Sequence, residues 1–150
     1  LGEYLIRLRV YKADGLYMDD YVSVYLSASV SRQGSTVVSC DGKASLEIPQ
    51  NAISENTLLF SLSQAVAPPD VNPNQWTRIS SIYQLLPAEY HFLTPCTLNI
   101  HYTDLQVMGI NLADLYIFYY HSTSEIWIPL PTHRDELNHV LTTTLTDLSE

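Results

Sequence analysis

Lys43-Ala44-Ser45-Leu46-Glu47-Ile48-Pro49 is the stretch whose reading decides the fold. Ala44, Leu46 and Ile48 occupy one side of a period-two alternation, and Ser45 and Glu47 occupy the other, the pattern of a half-buried strand. Pro49 has no N–H to give to a ladder, so the strand ends there. Just upstream, Asp41-Gly42 is a hairpin turn signal, and residues 36–39 supply the short strand that leads into it.

The same period continues in both directions. Residues 57–63 align Leu58, Phe60 and Leu62, and residues 96–102 align Cys96, Leu98, Ile100 and Tyr102. Residues 79–85, 115–121, 126–130 and 139–145 read as further strands, and Pro68, Pro69 and Pro73 mark a long loop up to Trp76. Towards the N-terminus, Tyr4, Ile6, Leu8 and Val10 face away from Arg7 and Arg9, and Val22, Val24 and Leu26 repeat the alternation. Lys12-Ala13-Asp14-Gly15 between them is a turn signal, since glycine accepts positive φ. Residues 1–27 therefore read as a hairpin, and the small, polar residues 27–34 as a linker. Helical periodicity is weak: residues 51–56 predict one turn and 103–114 another, both short of ordinary helix length. About nine short strands separated by turn signals predict an all-β fold, an antiparallel β-sandwich or a barrel.

Composition narrows the class. Of the 150 residues 46% are hydrophobic, enough for a real core. Eleven tyrosines against three phenylalanines fit sheets whose rings pack while their hydroxyls reach the rim. Seven basic against sixteen acidic residues give a formal charge of -9. Such a surface repels phosphate backbones and anionic bilayers, so no nucleic-acid partner and no membrane insertion are expected. No apolar run approaches the roughly 18 residues that span a bilayer. The chain begins at Leu1 without a basic, then apolar, leader pattern, and is read as a module from a longer protein.

Two stretches carry a family resemblance. Residues 34–53, with Gly34, Asp41-Gly42, Ile48-Pro49 and Ala52, resemble the opening of the ZU-five (ZU5) domain. That family begins with a glycine-led strand, a turn, a strand ending Ile-Pro and a small-residue turn containing Ala. Residues 90–102 are similar to its Phe-x-x-Pro-Val-x-Leu-x-Ile-x-Tyr strand, with Cys96 at the valine position. Residues 115–120 and Glu125-Ile126-Trp127 resemble its aromatic strand and Trp-containing hairpin, and residues 144–149 its closing strand. The resemblance spans about residues 29–150. Residues 1–28 resemble instead the last hairpin of a polycystic-kidney-disease (PKD) or related Ig-like domain. It implies a ZU5-like β-sandwich over 29–150, preceded by a hairpin from a truncated Ig-like neighbour, in a multidomain, secreted or cell-surface protein. The alternative compartment is the cytoplasm, where animal members of the family act as interaction modules.

Candidate chemistry is sparse, and no catalytic, cofactor-binding or metal-ligating residues are assigned. His91, His101, His121, His133 and His139 form no His-x-His pair and no His-Glu-x-x-His motif. Asp14, Asp19 and Asp20 lack the spacing of a calcium loop and, like Asp135-Glu136, read as solvated surface. Cys40 and Cys96 are too few for a zinc site; they read as two small buried hydrophobes, with a single bridge as the alternative. No nucleophile elbow, Walker loop or dinucleotide fingerprint is present. The expected function is a non-enzymatic structural or interaction module whose partners are neighbouring β-domains of the same chain and a protein or glycan ligand. Trp76 and Trp127 are the aromatic candidates for binding a sugar or a protein, with core packing as the plainer role.

Some members of the family cut their own backbone at a His-Phe-Ser sequence, where a serine hydroxyl attacks the preceding carbonyl and a histidine takes its proton. The matching residues here are Asp147, Leu148 and Ser149. An aspartate with a reference pKa of about 3.9 is a far weaker base, and it brings negative charge beside the developing oxyanion. A chain extended past Glu150 should therefore keep its intact mass through days at neutral pH. A fragment ending at Leu148, lost in Ser149→Ala, would establish self-cleavage.

Overall fold

The computed structural model describes residues 3–11, 17–25, 27–65 and 76–148. Twelve strands run through them: β1 (Glu3–Tyr11), β2 (Tyr17–Tyr25), β3 (Ala28–Ser31), β4 (Ser35–Val38), β5 (Ala44–Ile48), β6 (Thr57–Gln64), β7 (Tyr83–Leu86), β8 (His91–His101), β9 (Phe118–His121), β10 (Ile126–Pro129), β11 (His133–Asp135) and β12 (Val140–Asp147). One short 3-10 turn, Leu112–Asp114, precedes β9. Every pairing is antiparallel. A five-stranded sheet in the order β11-β12-β8-β5-β4 and a three-stranded sheet in the order β3-β6-β7 share one hydrophobic core. The fold is the expected antiparallel β-sandwich, with β1-β2 and β9-β10 as separate two-stranded hairpins.

The core follows from the alternation. Ala44, Leu46 and Ile48 of β5, Cys96 and Leu98 of β8, and Leu141 of β12 point from the larger sheet into the core. Val30 of β3 and Phe60 and Leu62 of β6 meet them from the smaller one. Phe60 stacks on Phe92 at 5.8 Å and meets Tyr90 edge-on at 5.5 Å. Side chains as deeply buried as Phe60 and Leu46 each contribute roughly 1.5–3 kcal/mol relative to exposure. Asp41-Gly42 turns the chain between β4 and β5, as its residue types predict. At Gly34 the chain passes from one sheet to the other with φ +82, and a Cβ there would lie 2.5 Å from the Ile48 carbonyl oxygen. Only glycine fits that approach.

β8 is longer than its alternation suggests, beginning at His91 and containing Pro95. Proline is tolerated because the β8–β12 ladder is interrupted there. Leu145 pairs with Cys96, Asp147 with His91, and the register shifts between them, so no ladder bond asks Pro95 for an N–H.

Several expectations are corrected. Residues 28–31, read as linker, form β3, which pairs with β6 from Ala28–Phe60 to Ser31–Thr57. Val30 is the fully buried residue of the four, with Ala28 packed beside the core, and one sizeable apolar residue gives no detectable period. The strand expected over 79–85 starts only at Tyr83, because the Ile79 carbonyl accepts instead from the Gln106 side chain. The strand expected over 115–121 starts at Phe118, because the Leu115 carbonyl is taken by Arg134 Nε and the Ile117 N–H by Thr132 Oγ1. β11 has no apolar alternation and was not predicted. Cys40 is exposed rather than buried; Cys96 is buried, as expected, and is a free thiol. The turn at 12–15, Leu26, the prolines at 68, 69 and 73, and Ser149 lie outside the described residues.

Burial pushes the Cys96 thiol up to about 12, so it stays neutral and acts as a small hydrophobe. Cys96→Val, close to isosteric, should change stability by less than about 1.5 kcal/mol. Cys96→Asp would place a charge where nothing can pair with it and should unfold much of the population. Thermal melts under reducing and non-reducing conditions check both; a large loss for Cys96→Val would point to a structural role for the thiol.

Candidate functional site

The two sheets do not match in width. Among the described residues three strands face five, and an opening lies beside β7, lined also by residues of β8 and β12. The opening is a cavity of about 1050 Å³, at the upper end of the range typical of ligand sites. Its floor is core surface, with Leu62, Tyr83, Leu85, Leu98, Ile100 and Leu145 among the lining residues.

Aromatic rings form its rim, and their placement follows from the β9-β10 hairpin. In that hairpin Trp127 pairs with Tyr120 and Pro129 with Phe118. Trp76 lies 4.8 Å from Phe118, and Tyr120 lies 5.2 Å from Trp127, centroid to centroid. Arg134 stands 4.5 Å over the Tyr116 ring, a cation–π contact. The same guanidinium donates to the carbonyls of Leu115 and Thr132, tying the approach to β9 to β11. Trp76 and Trp127, 51 positions apart in the sequence (127 − 76), thus line one cavity. Trp76 retains 42% exposure.

A carboxylate holds the β7 wall. Asp41, in the β4–β5 turn, accepts hydrogen bonds from Ser39 Oγ (2.7 Å), Lys43 N–H (3.1 Å), Gln64 Nε2 (2.7 Å) and Tyr83 OH (2.8 Å). It therefore links the larger sheet to β6 and β7 of the smaller one. Partial burial works against its charge, but the four donors outweigh that and lower its pKa to about 2. Burial first, and then the Asp41 carboxylate, push the Tyr83 hydroxyl well above its ordinary value. Asp41 and Tyr83 were not singled out in the sequence. Asp41 reads there only as half of a turn dipeptide, and 42 residues separate the pair.

The histidines do not converge. His101 is exposed, on the outer face as expected, and so are His91 and His133. His121 Nδ1 accepts from the Ser124 N–H within its own turn, and His139 Nε2 lies 3.2 Å from Asp104. Asp135 accepts from the backbone and side chain of Asn138. Asp14 lies outside the described residues, and Asp19 and Asp20 sit in β2, paired with Arg9 and Leu8. Among the described residues no three His, Cys, Asp or Glu side chains gather to hold a metal ion. No helix among them is long and apolar enough to cross a membrane. Of the closing motif, Asp147 pairs with His91 across the ladder, a neighbour that sequence reading missed. The Leu148 N–H donates to the Tyr90 carbonyl, and the Leu148 carbonyl accepts from the Glu89 N–H at 2.9 Å.

Compared with known families, residues 26–110 match the model described as the ZU5 domain. None of the curated proteins matches the chain. The matched span runs from β3 through β8 and contains Gly34, Asp41, Pro49 and Ala52. Ala52 is fully buried, with its carbonyl accepting from the Leu93 N–H, and the Asn51 N–H donates to the Arg32 carbonyl. These positions hold the β3–β4 and β5–β6 connections together.

Because the folded pKa of Asp41 lies below the ordinary value of 3.8, its stabilisation is full above about pH 5 and fades as pH falls from about 4 towards 2. Asp41→Asn should cost on the order of 1 kcal/mol at pH 7, a modest figure because the carboxylate is partly solvated. Urea melts of the two proteins should converge near pH 2. A difference that persists unchanged at low pH would show that the charge is not what stabilises the clamp.

Proposed function

The chain belongs to the ZU5 domain family, and from that premise we propose that it is a non-catalytic interaction module whose ligand contacts the aromatic-rimmed groove between β7 and β12. ZU5 domains are protein-interaction modules of larger proteins, which sets the general class. The observation that carries the finer reading is the meeting of Trp76, Phe118, Tyr120 and Trp127 at one apolar opening. Aromatic rings supply large contact area at low entropic cost, and they are enriched in binding hot spots.

The same proposal places the module in a secreted or cell-surface multidomain chain, as a spacer or adhesion unit. Residues 1–28 would then be the closing hairpin of an Ig-like neighbour, and residues 29–150 the ZU5 unit. Supporting this division, β1 and β2 pair, among the described residues, only with each other in the sheet order. The net charge of -9 argues against nucleic acid as the ligand.

A second reading, carbohydrate binding, draws on the same rings, since exposed Trp76 offers a face on which a sugar could stack. Parallel peptide and glycan arrays separate the two. The expected outcome is retention on peptides, reduced at least about tenfold by Trp76→Ala, the loss of one well-placed aromatic anchor. Retention on glycans alone, abolished by the same substitution, would transfer the site to sugars. Binding indifferent to Trp76→Ala would move the site away from the groove.

A further inference from the structure

We propose that the groove takes its ligand as a strand: an extended polypeptide segment, apolar at alternate positions and carrying basic residues, that pairs with the open edge of β7 as the fourth strand of the smaller sheet. This rests on the groove being the binding site, and it adds the mode of recognition and the chemistry of the partner.

The backbone sets the edge. β7 pairs with β6 through Ser61–Leu86, Leu62–Leu85, Ser63–Gln84 and Gln64–Tyr83. Beyond the last pair, the Ala65 N–H donates to the Ile82 carbonyl at 2.8 Å. Antiparallel ladders alternate between hydrogen-bonded and non-hydrogen-bonded pairs. Ile82, Gln84 and Leu86 therefore turn their peptide groups towards β6. Tyr83 and Leu85 turn theirs to the other side, where, among the described residues, β7 is the last strand of its sheet. Tyr83 and Leu85 also line the groove, so an edge with donors and acceptors on offer borders an apolar opening. That combination suits strand addition, in which main-chain bonds give affinity and alternate side chains give selectivity.

The floor and rim define the rest. A strand added beside β7 would direct every second side chain towards the half-buried Ile100 and Leu145 of the opposite sheet, adding cover that the three described strands do not give to five. Aliphatic or β-branched residues fit those positions. Asp114, Asp147 and Arg78 are the charged residues among those lining the opening, while Arg134 at its side is turned onto the Tyr116 ring and the carbonyls of Leu115 and Thr132. Two carboxylates against one guanidinium in the lining itself, on a chain of net charge -9, favour lysine or arginine at the positions that face out.

A capped eight-residue peptide of alternating valine and lysine serves as probe, with a glutamate-for-lysine version and a version carrying a central proline as controls. Hydrogen exchange of the whole chain, resolved by residue, is the readout. Saturable binding of the valine–lysine peptide should slow exchange of the Tyr83 and Leu85 amides at least about tenfold, and neither control should do so. Asp114→Asn, a solvent-facing change, should weaken binding about threefold at low salt and less at high salt. Binding that depends on Trp76 but leaves both amides unprotected would overturn strand addition while sparing the groove as a site. Protection by the glutamate peptide would overturn the basic partner. Protection without any peptide that grows with protein concentration, together with a sedimenting dimer, would make the occupant a second copy of this chain. No binding of any peptide to the groove, with Trp76-dependent retention on the arrays intact, would limit the failure to the strand mode alone.

Discussion

Phe60 is the contact on which the rest of the structure depends. It projects from the middle strand of the smaller sheet, is fully buried, and stacks on Phe92 of β8 in the larger sheet. Sheets that pack face to face hold together through interdigitated side chains about 10 Å thick. Here one ring, with Leu62 beside it and Val30 on the neighbouring strand, supplies much of the smaller sheet's half. Both edges of that sheet take their position from β6. β3 is held by its pairing with β6 and by Val30, and β7 by its pairing with β6 and by the Asp41–Tyr83 bond.

The unequal widths of the sheets turn a packing problem into a site. A closed sandwich would fully bury Ile100 and Leu145, which here stay half-buried, under a fourth strand. Here the next described strand of the smaller sheet after β6 is β7, which begins at Tyr83, and Leu115 and Ile117, just before β9, join the core. A hairpin covers a sheet less completely than a strand in register does. The remaining gap is lined by apolar floor and aromatic rim, and Arg134 holds one side of it by bonding two backbone carbonyls. Stability and site thus have different sources: the family's small-residue positions, Gly34 and Ala52, sit where connections cross closely, while the groove's aromatic rim lies mostly after the matched span, in residues 116–127. Membership in the family therefore accounts for the fold better than for the ligand.

The electrostatics follow the same division. Asp41 gathers four donors from three parts of the chain, and its charge is held by hydrogen bonds rather than by a cation. Among the described residues, the His139–Asp104 contact is at the surface, where such a pair adds little. Other described carboxylates, such as Glu47, Glu55 and Asp135, likewise take hydrogen bonds rather than a cation.

Period-two alternation, read from residues such as Ala44, Leu46 and Ile48 or Leu58, Phe60 and Leu62, was enough to determine the all-β class, most strands and most of the core, because a strand's pleat sends alternate side chains to opposite faces whatever the surroundings. The Asp41-Gly42 turn and the Ile48-Pro49 stop were legible for the same local reason. Strands without that pattern were not: β3 carries one large apolar residue, and β11 carries His133, Arg134 and Asp135. Nor were the strand ends at Tyr83 and Phe118, where side chains distant in sequence take the backbone partners that would otherwise extend the ladder. Trp76 and Trp127 stood out by residue type, but their shared rim, the partnership of Asp41 with Tyr83, and the place of His91 opposite Asp147 depend on strand order. Strand order is settled by which sheet buries which face, a global balance of packing that no short stretch of the chain contains.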